Sequence, residues 1–586
     1  MTAIVEIGLT GFRNFKFAKI NLTRKALVIG ANDVGKSNLM YALRLLLDRN
    51  LSEADLEPAD GDFYAHEETN EFEITLKFSD VIEDCVLAKL KECVSDDGQL
   101  YLVYRGKRDP ASKQKSYSLY AGHKLDDLRE LSGRHYTKVL NVRYIAGRRD
   151  LYSYLKRERR SLLEEARSIR SEVDQEADAL VHEKISVGLR EVSEAVACLT
   201  YVKSATVGLN TELAELSHHH TNHEVAFDAV PSDPTEFVET VDLVCKVQGR
   251  SIPLTGDGRA NQVHFSLWAA RNRTAAPGEI LEVSILCIEE PEAHLHPHQQ
   301  RKLSSYLFAK FNAQVIITSH SPQIACEFAP GSILRFFPTK EGSKVAGDGC
   351  SKLIEEAVVS FGYRMGVIPA EAIFSSGVLL VEGPSEELFF RALAREIGID
   401  LDRLNITVLS VAGIGFTPYA ELLHTLEIPF AIRTDNDITK IRKSSPPRYR
   451  MSGMERAWSL CNNFIPDFDA KNPNAKRKSE LVGFSSLDIP DALVKLAEQL
   501  RETFAKFGIF VSKLDLENDL YSAMPDVLAA HYDYESEDSE EIIKEMKAAK
   551  AEGMFTFIRQ NKVSLKELTH HALAFPLLWL KNMMES

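Results

Sequence analysis

The chain has 586 residues, of which 44% are hydrophobic and 26% are charged. This length exceeds what one hydrophobic core serves, so two or three domains are expected, and the composition excludes a chain that is mainly disordered. The formal net charge of −15 argues against a protein that coats nucleic acid over its whole surface, although it allows a local basic groove.

The eight cysteines are scattered along the chain, and none forms a Cys-x-x-Cys pair. This spacing predicts reduced, mostly buried thiols rather than disulfides or a zinc ribbon. The N-terminal residues lack the layout of a signal peptide, and no apolar run approaches the roughly 18 residues that span a bilayer. We therefore expect a cytoplasmic protein with no membrane partner.

The first 80 residues predict strands arranged around a glycine-rich loop. Ile4–Ile7 and Ala26–Ile29 are apolar, strand-like runs, and Leu39–Leu47 has the pattern of a helix. Glu71–Phe78 alternates with period two, as a half-buried strand does. The loop therefore lies between a strand and a helix, which is the context that phosphate binding requires.

That loop, Gly30-Ala-Asn-Asp-Val-Gly35-Lys36-Ser37, matches the complete phosphate-loop pattern. Its glycines let backbone N–H groups approach phosphate oxygens, Lys36 bridges the β- and γ-phosphates, and the Ser37 hydroxyl ligates Mg²⁺. The sequence therefore predicts bound ATP with Mg²⁺. The candidate nucleotide-binding residues in this segment are Gly30, Asn32, Gly35, Lys36, Ser37 and Asn38.

Between Asp150 and Val187 the chain contains neither glycine nor proline. Apolar residues recur there every three or four positions, which predicts one stripe on a long, charged helical hairpin inserted into the first domain. Two roles for the stripe are open, burial within the chain and pairing with a second protomer. Its members are Leu162, Ala166, Ile169, Val173, Ala177 and Leu180.

Two later strands, Ile280–Ile288 and Gln314–Thr318, each end in polar residues. They have the character of buried parallel strands with functional residues at their carboxyl ends. We assign Glu289 to the magnesium's water shell and Glu290 to polarising the attacking water. His320 is expected to touch the γ-phosphate.

Together these motifs resemble the ABC-type ATPases, notably the SMC and RecF-like branch, as do the Phe12–Phe15 opening and Asn32. Members of that branch bind ATP between two protomers, with a signature loop facing the partner's phosphates. The candidate loop is Leu254–Arg259, with Gly256 and Gly258, and it departs from the usual Ser-x-Gly-Gly form. Glu289 also replaces the usual Asp, which is expected to slow hydrolysis without abolishing nucleotide binding.

A second set of candidate functional residues follows a domain boundary near 340–370. There Val378–Val381 is the first strand of another α/β unit. Glu382 and Glu386 lie four residues apart at a strand end and a first helical turn, so both carboxylates can face one point. Asp435 and Asp437 lie on one side of an extended segment. Convergent carboxylates need a cation, and their hard oxygens select Mg²⁺ or Mn²⁺, which predicts a two-metal site.

This order of acids, with the Val411-Ala412-Gly413 turn between them, is similar to the Toprim fold. An ABC-type ATPase followed by Toprim resembles the OLD (overcoming lysogenization defect) family of nucleases, which includes nucleases of the Gabija and retron-associated anti-phage systems. The run Ile288–Pro297, IEEPEAHLHP, is typical of that family. By this resemblance Glu517 completes the second metal site, Asp515 is a further candidate ligand, and Lys562 stabilises charge on the transferring phosphate.

Basic residues follow the Asp pair closely and predict a DNA track beside the metal site, with an exposed basic loop as the alternative. They are Lys440, Arg442, Lys443, Arg448, Arg450, Lys476, Arg477 and Lys478.

The predicted fold is α/β: an ABC-type ATPase domain with an inserted helical dimerisation region, followed by a Toprim nuclease domain with helical additions. The expected boundaries are 1–150 and 231–350 for the two ATPase parts, 151–230 for the insert and 351–586 for the Toprim domain. The predicted function is an ATP-regulated, metal-dependent DNA endonuclease or nickase in anti-phage defence. The alternative is a RecF/SMC-like, ATP-dependent DNA sensor or scaffold whose Toprim domain is inactive.

The resemblance also implies partners. A homodimer or homotetramer is expected from the inserted helices, and family relatives work beside a helicase-like or reverse-transcriptase protein. A topoisomerase is disfavoured because it needs a DNA-linking tyrosine in a separate module, and a primase of this fold usually adds a zinc module.

Overall fold

The computed structural model describes residues 2–147, 170–216, 282–310, 313–350, 367–412, 415–442, 444–485 and 489–585, with shorter stretches between 159 and 266. Two compact units result. One unit contains residues 1–146, 279–292 and 297–586, and the other contains 147–278 and 293–296.

The strands, in chain order, are β1 Ala3–Phe12, β2 Phe15–Asn21, β3 Lys25–Gly30, β4 Glu71–Ser79, β5 Leu100–Arg108, β6 Lys115–Lys124, β7 Asp127–Leu131, β8 Leu140–Ile145, β9 Val244–Val247, β10 Arg250–Pro253, β11 Val283–Glu289, β12 Val315–Thr318, β13 Ile333–Thr339, β14 Gly342–Val345, β15 Gly377–Val381, β16 Ile406–Ser410, β17 Phe430–Thr434, β18 Ile438–Lys440, β19 Tyr449–Met451, β20 Val482–Phe484 and β21 Ile509–Val511.

The α-helices, in chain order, are α1 Lys36–Leu47, α2 Glu53–Leu56, α3 Asp84–Leu90, α4 Glu172–Ala197, α5 Thr200–Leu216, α6 Pro297–Lys310, α7 Pro322–Ala325, α8 Val367–Ala372, α9 Pro384–Glu396, α10 Phe416–Thr425, α11 Ser452–Phe464, α12 Phe468–Lys471, α13 Asp491–Ala505, α14 Leu516–Ala523, α15 Pro525–Tyr532, α16 Ser539–Asn561 and α17 Phe575–Glu585.

Among the described residues, twelve strands form one mixed sheet in the order β7-β6-β5-β4-β1-β2-β14-β13-β3-β12-β11-β8. The half from β13 to β8 is parallel, and the other half is antiparallel. Strand β3 lies in the parallel half, between β13 and β12, and is buried at Ala26–Ile29. Since parallel strands share their carboxyl edge, the loops after β3, β11 and β12 meet there.

A second sheet has four parallel strands in the order β16-β15-β17-β21. All five residues of β15 are buried, as expected for a central strand covered on both faces. The hydrophobic core that includes strand residues Leu379 and Val381 also contains Phe389 and Phe390 of α9, and Leu577 and Leu580 of α17. A third sheet, β18-β19-β20, is small and antiparallel. It follows β17 along the chain.

A buried arginine on the twelve-stranded sheet contacts the segment that follows α10, the helix before β17 of the second sheet. Arg335 on β13 donates hydrogen bonds of 3.0 Å to the carbonyl oxygens of Leu426 and Glu427, at the end of α10. Burial lowers the pKa of Arg335 to about 10. Gly347, which follows β14, donates its N–H to the Glu427 carboxylate over 3.0 Å. These contacts fix the end of α10, and β17 begins three residues after Glu427.

Two helices, α4 and α5, lie in and after the segment where a helical hairpin was predicted, but the single apolar stripe predicted there is interrupted. Ser171 caps α4, and its hydroxyl accepts a hydrogen bond from the N–H of Asp174, so a helix begins inside the predicted stripe. Val173 and Leu180 are 75% and 65% exposed within the chain. Leu162 and Ile169 lie outside the described residues.

Within the part of the chain that the structure describes, no helix is both long enough and apolar enough to cross a membrane. The seven cysteines with described side chains are free thiols. Cys93, Cys287 and Cys461 are buried.

Candidate nucleotide and metal sites

The glycines of the phosphate loop are required by its backbone. Gly35 has φ of 94°, and a Cβ there would lie 2.5 Å from the Nδ2 atom of Asn14. At Gly30 a Cβ would lie 2.5 Å from the carbonyl oxygen of Phe336, the residue paired with it on β13. A larger residue at either position would displace the loop.

Lys36 is buried, and its Nζ atom donates to the carbonyl oxygens of Gly30 and Ala31 over 2.9 and 2.6 Å. Burial lowers its pKa, against the opposing charges of Glu290, Asp33 and other acids. The lysine thus lies folded within its own loop. Ser37 and Asn32 are exposed, as ligands for an incoming nucleotide should be.

Asn38 is held by the turn between β1 and β2. Its Nδ2 atom donates to Asn14 Oδ1 over 2.7 Å, and its Oδ1 atom accepts from Arg13 over 2.8 Å. The Arg13 guanidinium lies 4.2 Å from the ring centroid of Tyr41 and pairs with Asp62 at 2.9 Å. Asn38 therefore anchors the first turn of α1 to that β-turn.

Glu289 and Glu290 occupy the predicted position at the carboxyl end of β11. Glu289 pairs with Thr318 of β12, and its Oε2 atom accepts a 2.9 Å hydrogen bond from the Tyr144 hydroxyl. Tyr144 also lies under the guanidinium of Arg44, 4.3 Å from its ring centroid. The sequence did not indicate Tyr144, because β8 becomes a neighbour of β11 only in the folded sheet.

His320 comes close to Glu290, with 3.8 Å between His320 Nε2 and Glu290 Oε1. Burial and the charge of Lys36 lower the pKa of the imidazole, and Glu290 opposes them. Lys36, Glu290 and His320 therefore face one region at the edge of the sheet. Of the candidate signature loop, Gly256 lies outside the described residues, and a Cβ on Gly258 would lie 2.7 Å from the His294 carbonyl oxygen.

At the second sheet, Glu382 follows the last residue of β15. Its Oε1 atom accepts hydrogen bonds from the Thr434 hydroxyl over 2.6 Å and from the main-chain N–H of Asp435 over 2.9 Å. It also forms an ion pair with Arg456 of α11. Two acids 53 residues apart in the chain thus meet at the carboxyl edge of adjacent parallel strands.

Glu386 lies in the first turn of α9, where its Oε2 atom accepts a 3.0 Å hydrogen bond from the N–H of Gly383. Burial raises its pKa to about 7, with further raising by the charges of Glu382 and Glu517. Burial also raises the pKa of Asp435 to about 8, and Glu382 and Glu386 add to the effect. These three carboxylates are close enough to oppose one another's ionisation.

A network of hydrogen bonds through Ser512 and Arg433 also holds the Asp435 carboxylate. Its Oδ1 atom accepts a 2.9 Å hydrogen bond from the Ser512 hydroxyl, and Ser512 in turn accepts from Arg433. Arg433 pairs with Asp519 at 2.6 Å, and its positive charge opposes the rise in the Asp435 pKa. Asp437 is more exposed than Asp435. The partial loss of water around its carboxylate raises its pKa, and the charge of Glu382 raises it further.

The C-terminal candidates divide into two groups. Burial raises the pKa of Glu517, and the charge of Glu517 adds to the rise in the pKa of Glu386, so Glu517 lies within electrostatic reach of Glu386. Asp515 caps α14 through the N–H of Asn518 and pairs with Lys547 at 2.6 Å. Burial would raise the pKa of Asp515, but hydrogen bonds from Lys547 and Asn518 outweigh it and lower the pKa.

Lys562 is exposed at the end of α16, and no described hydrogen bond or ion pair joins it to these acids. The lysine that the fold brings to the acids is Lys547, whose charge interacts with Asp515, Glu517 and Asp435. The sequence could not distinguish the two, since both lie in charged helical segments.

The acidic cluster, which we define as Glu382, Glu386, Asp435, Asp437 and Glu517, has the oxygen donors that a divalent cation requires. Glu386, Asp435, Asp437 and Glu517 all offer carboxylate oxygens, and burial is the main cause of their raised pKa values, with neighbouring acids adding to it. Among the described residues, no group of three or more His, Cys, Asp or Glu side chains already has the spacing of metal ligands. Glu382 is instead satisfied by Arg456, Thr434 and the Asp435 N–H.

The predicted basic residues lie on and around the small sheet that follows Asp437. Lys440, Arg442, Arg448 and Arg450 are exposed, and Lys443 lies outside the described residues. Two of the predicted positions beyond them, Lys476 and Lys478, are exposed as well, whereas Arg477 is half-buried and pairs with Glu480 at 2.9 Å.

Comparison with known proteins decides the family. The model of the AAA ATPase domain matches residues 3–189 and 209–325, which is more than half of the chain. The chain belongs to this ATPase family. It also carries an OLD-like domain, because the model of the Toprim domain of overcoming lysogenization defect-like proteins matches residues 373–437. The predicted fold, an N-terminal ATPase domain with a C-terminal Toprim domain, is confirmed.

Two relatives of this OLD-like ATPase are similar in sequence. Endonuclease GajA of Bacillus cereus is 27% identical over 550 residues, 89% of each chain. The OLD nuclease of Thermus scotoductus is 26% identical over 170 residues, 27% of this chain and 32% of its own. Among solved structures, the C-terminal region of the Burkholderia pseudomallei OLD protein is 21% identical, covers 36% of this chain and 99% of its own, and has a TM-score of 0.22.

Proposed function

We propose that this protein is a DNA endonuclease or nickase that depends on Mg²⁺ or Mn²⁺ and is controlled by ATP with Mg²⁺ at the phosphate loop. The observation that carries the proposal is the convergence of Glu382, Glu386 and Asp435 at one edge of the Toprim sheet. The names of the two relatives, an endonuclease and a nuclease, support the same activity.

In this proposal Glu382, Glu386, Asp435, Asp437 and Glu517 hold the ions, and Asp515 supports them through its bond to Lys547. Bound divalent ions would activate water, orient the phosphodiester and neutralise the leaving oxygen. The Ser512–Arg433 network holds Asp435 at a fixed position, as a site that works by positioning requires.

Lys547 is the residue we assign to charge stabilisation on the transferring phosphate. Its ammonium group lies at the acids, whereas that of Lys562 is in solvent. A fixed cation beside developing negative charge lowers the barrier only if it is already in place in the folded protein. The Lys562 assignment is therefore replaced by Lys547 in this proposal.

The DNA substrate is proposed to follow the exposed basic side chains of the small sheet. Lys440 and Arg442 come three and five residues after Asp437, so a backbone bound by them passes the acids. Lysine and arginine at the phosphates release counterions, which supplies affinity without sequence preference. The net charge of −15 argues against binding over the whole surface, so we propose a local track.

The ATP site supports a regulatory role. Glu289 is assigned to the water shell of the nucleotide's Mg²⁺ and Glu290 to polarising the attacking water. His320 and Lys36 are assigned to contact with the phosphates. We also propose anti-phage defence, a cytoplasmic location, homo-oligomers through the insert and a helicase-like or reverse-transcriptase partner. The boundaries proposed from the sequence, near 150, 230 and 350, are retained as well.

The proposal is tested by incubating supercoiled plasmid with the full chain in Mg²⁺, Mn²⁺ or EDTA, with and without ATP. We expect nicked or linear DNA with either ion, none with EDTA, and loss of cleavage in Asp435→Ala. Equal cleavage by wild type and Asp435→Ala would contradict the site. Binding of DNA without cleavage under every condition would favour the sensor or scaffold with an inactive Toprim domain.

A further inference from the structure

The turn after β11 carries an acidic residue to which neither the phosphate-loop chemistry nor the metal cluster assigns a role. Glu292 comes two residues after Glu290, and most of its surface is covered. Glu290 has φ of 43°, so the chain turns sharply at that point. Pro291 is buried, and Glu292 turns back towards the residues that follow β12.

The Glu292 carboxylate forms two hydrogen bonds with the segment that carries His320. Its Oε1 atom accepts a hydrogen bond of 2.6 Å from the main-chain N–H of His320 and one of 2.9 Å from the Ser319 hydroxyl. Ser319 is fully buried, and its oxygen accepts from the N–H of Ser321 over 2.9 Å. The carboxylate therefore closes a hydrogen-bond network at the end of β12.

The other end of the same turn is tied to β12 as well. The N–H of Glu290 donates to the Thr318 carbonyl oxygen over 2.9 Å, and Glu289 pairs with Thr318 in the sheet. The turn thus holds the segment from Thr318 to His320 at both Glu290 and Glu292. The outcome is the 3.8 Å approach of His320 Nε2 to Glu290 Oε1.

We propose that Glu292 is a positioning residue that fixes His320 at the γ-phosphate end of the nucleotide site. This inference rests on the proposed ATP site and adds to it the residue that holds the histidine in place. The Glu292 carboxylate accepts from the main-chain N–H of His320 and so fixes the backbone there. The imidazole then reaches the γ-phosphate without a separate cost of ordering the segment. Because most of the Glu292 surface is covered, its hydrogen bonds are stronger than they would be in water.

The test measures the affinities of the full chain for ATPγS and ADP in Mg²⁺ by calorimetry, because their ratio reports contact with the γ-phosphate whether or not hydrolysis occurs. Wild type is expected to prefer ATPγS. His320→Ala and Glu292→Ala should each reduce the preference by about tenfold, as expected for one lost charge-assisted hydrogen bond. Glu292→Gln should retain most of it, since the amide oxygen still accepts.

The double variant Glu292→Ala/His320→Ala separates positioning from general damage. If Glu292 acts through His320, the double variant loses no more than His320→Ala alone. Glu292→Asp, which withdraws the carboxylate by one methylene, serves if the alanine variant fails to fold, and it should also lower the ratio. The matched control is Glu327→Ala, whose carboxylate accepts from Ser305 instead and should leave the ratio unchanged.

Three results would overturn the inference. A preference retained in both Glu292→Ala and Glu292→Asp, or a double variant with a further loss, contradicts the role of Glu292 and leaves the nucleotide site intact. A wild type that binds ATPγS and ADP equally contradicts the γ-phosphate contact itself, and the role of Glu292 falls with it.

Discussion

The main-chain N–H of Asp435 donates a 2.9 Å hydrogen bond to the carboxylate of Glu382. This bond joins the carboxyl ends of β15 and β17, so the acid that follows each strand lies beside the other. Glu386 enters from the first turn of α9, and burial together with neighbouring charge raises its pKa to about 7. The Toprim acids are therefore assembled by the backbone of a parallel sheet rather than by flexible loops.

The first prediction concerns stability against pH in EDTA. The pKa of Glu386 is raised to about 7 and that of Asp435 to about 8, so the folded state holds protons that the unfolded chain releases near its ordinary carboxyl pKa. Their contribution to stability is full below about pH 4 and is lost as pH rises through the folded values. We expect Asp435→Asn to become more stable than wild type as pH rises from 5 to 8.

This difference is measured as the gap between the two melting temperatures at each pH. Taking the gap cancels groups that titrate equally in both proteins. Asp402→Asn, an exposed change elsewhere in the Toprim domain, should show no trend. We expect the melting temperature of Asp435→Asn minus that of wild type to increase as pH rises. A difference that stays constant or decreases would contradict the assigned shift of the Asp435 pKa.

The second prediction distinguishes two lysines. Lys547→Met should lower the cleavage rate by about 10²-fold or more, because a fixed cation beside the reacting phosphate is lost. Lys562→Met should remain within about twofold of wild type, because that side chain is exposed. Single-turnover plasmid cleavage compares them, and the reverse order of the two rates would restore the assignment made from the sequence.

The third prediction tests the DNA track through its salt dependence. Lys440→Gln/Arg442→Gln should weaken DNA binding and reduce the slope of log K against log salt by about 2, since each phosphate contact contributes about one unit. Lys89→Gln/Lys91→Gln removes the same charge from exposed positions on and beside α3. Fluorescence anisotropy at several salt concentrations measures both slopes, and equal slopes for the two pairs would reject the track.

The fourth prediction concerns the contact between Arg335 of β13 and the segment after α10. Arg335→Ala leaves the carbonyl oxygens of Leu426 and Glu427 without their donor, which should cost about 1–3 kcal/mol of unfolding free energy. Arg403 is exposed and forms a 3.5 Å ion pair with Glu585. Arg403→Ala should therefore lower the unfolding free energy by less than about 0.5 kcal/mol. The midpoints of urea unfolding compare the two, and an Arg335 variant as stable as the Arg403 variant would show that this contact is dispensable.

Much of the fold could be read from the sequence because its motifs mark strand ends. Each motif comes at the end of a buried apolar run, and that run locates a strand. This holds for the loop from Gly30 to Ser37 and for the acids Glu289, Glu382 and Asp435. Parallel strands share their carboxyl edge, so the meeting of these residues followed from that rule.

The rest could not be predicted, for physical reasons that differ between residues. Tyr144 and Ser512 contribute single hydroxyl groups that become neighbours of the acids only when distant strands pair. Arg456 and Lys547 lie on helices whose rotation about their axes has no local sequence signal. The break at Ser171 was missed because its capping box lies within a continuous apolar periodicity.

The most direct measurement is the binding of Mn²⁺ to the nucleotide-free chain, followed by electron paramagnetic resonance. Wild type and Asp402→Asn should bind Mn²⁺ equally, and Asp435→Asn should bind at least about tenfold more weakly, because one carboxylate ligand is lost. Equal Mn²⁺ affinity in wild type and Asp435→Asn would contradict the claim that these acids hold the catalytic ion.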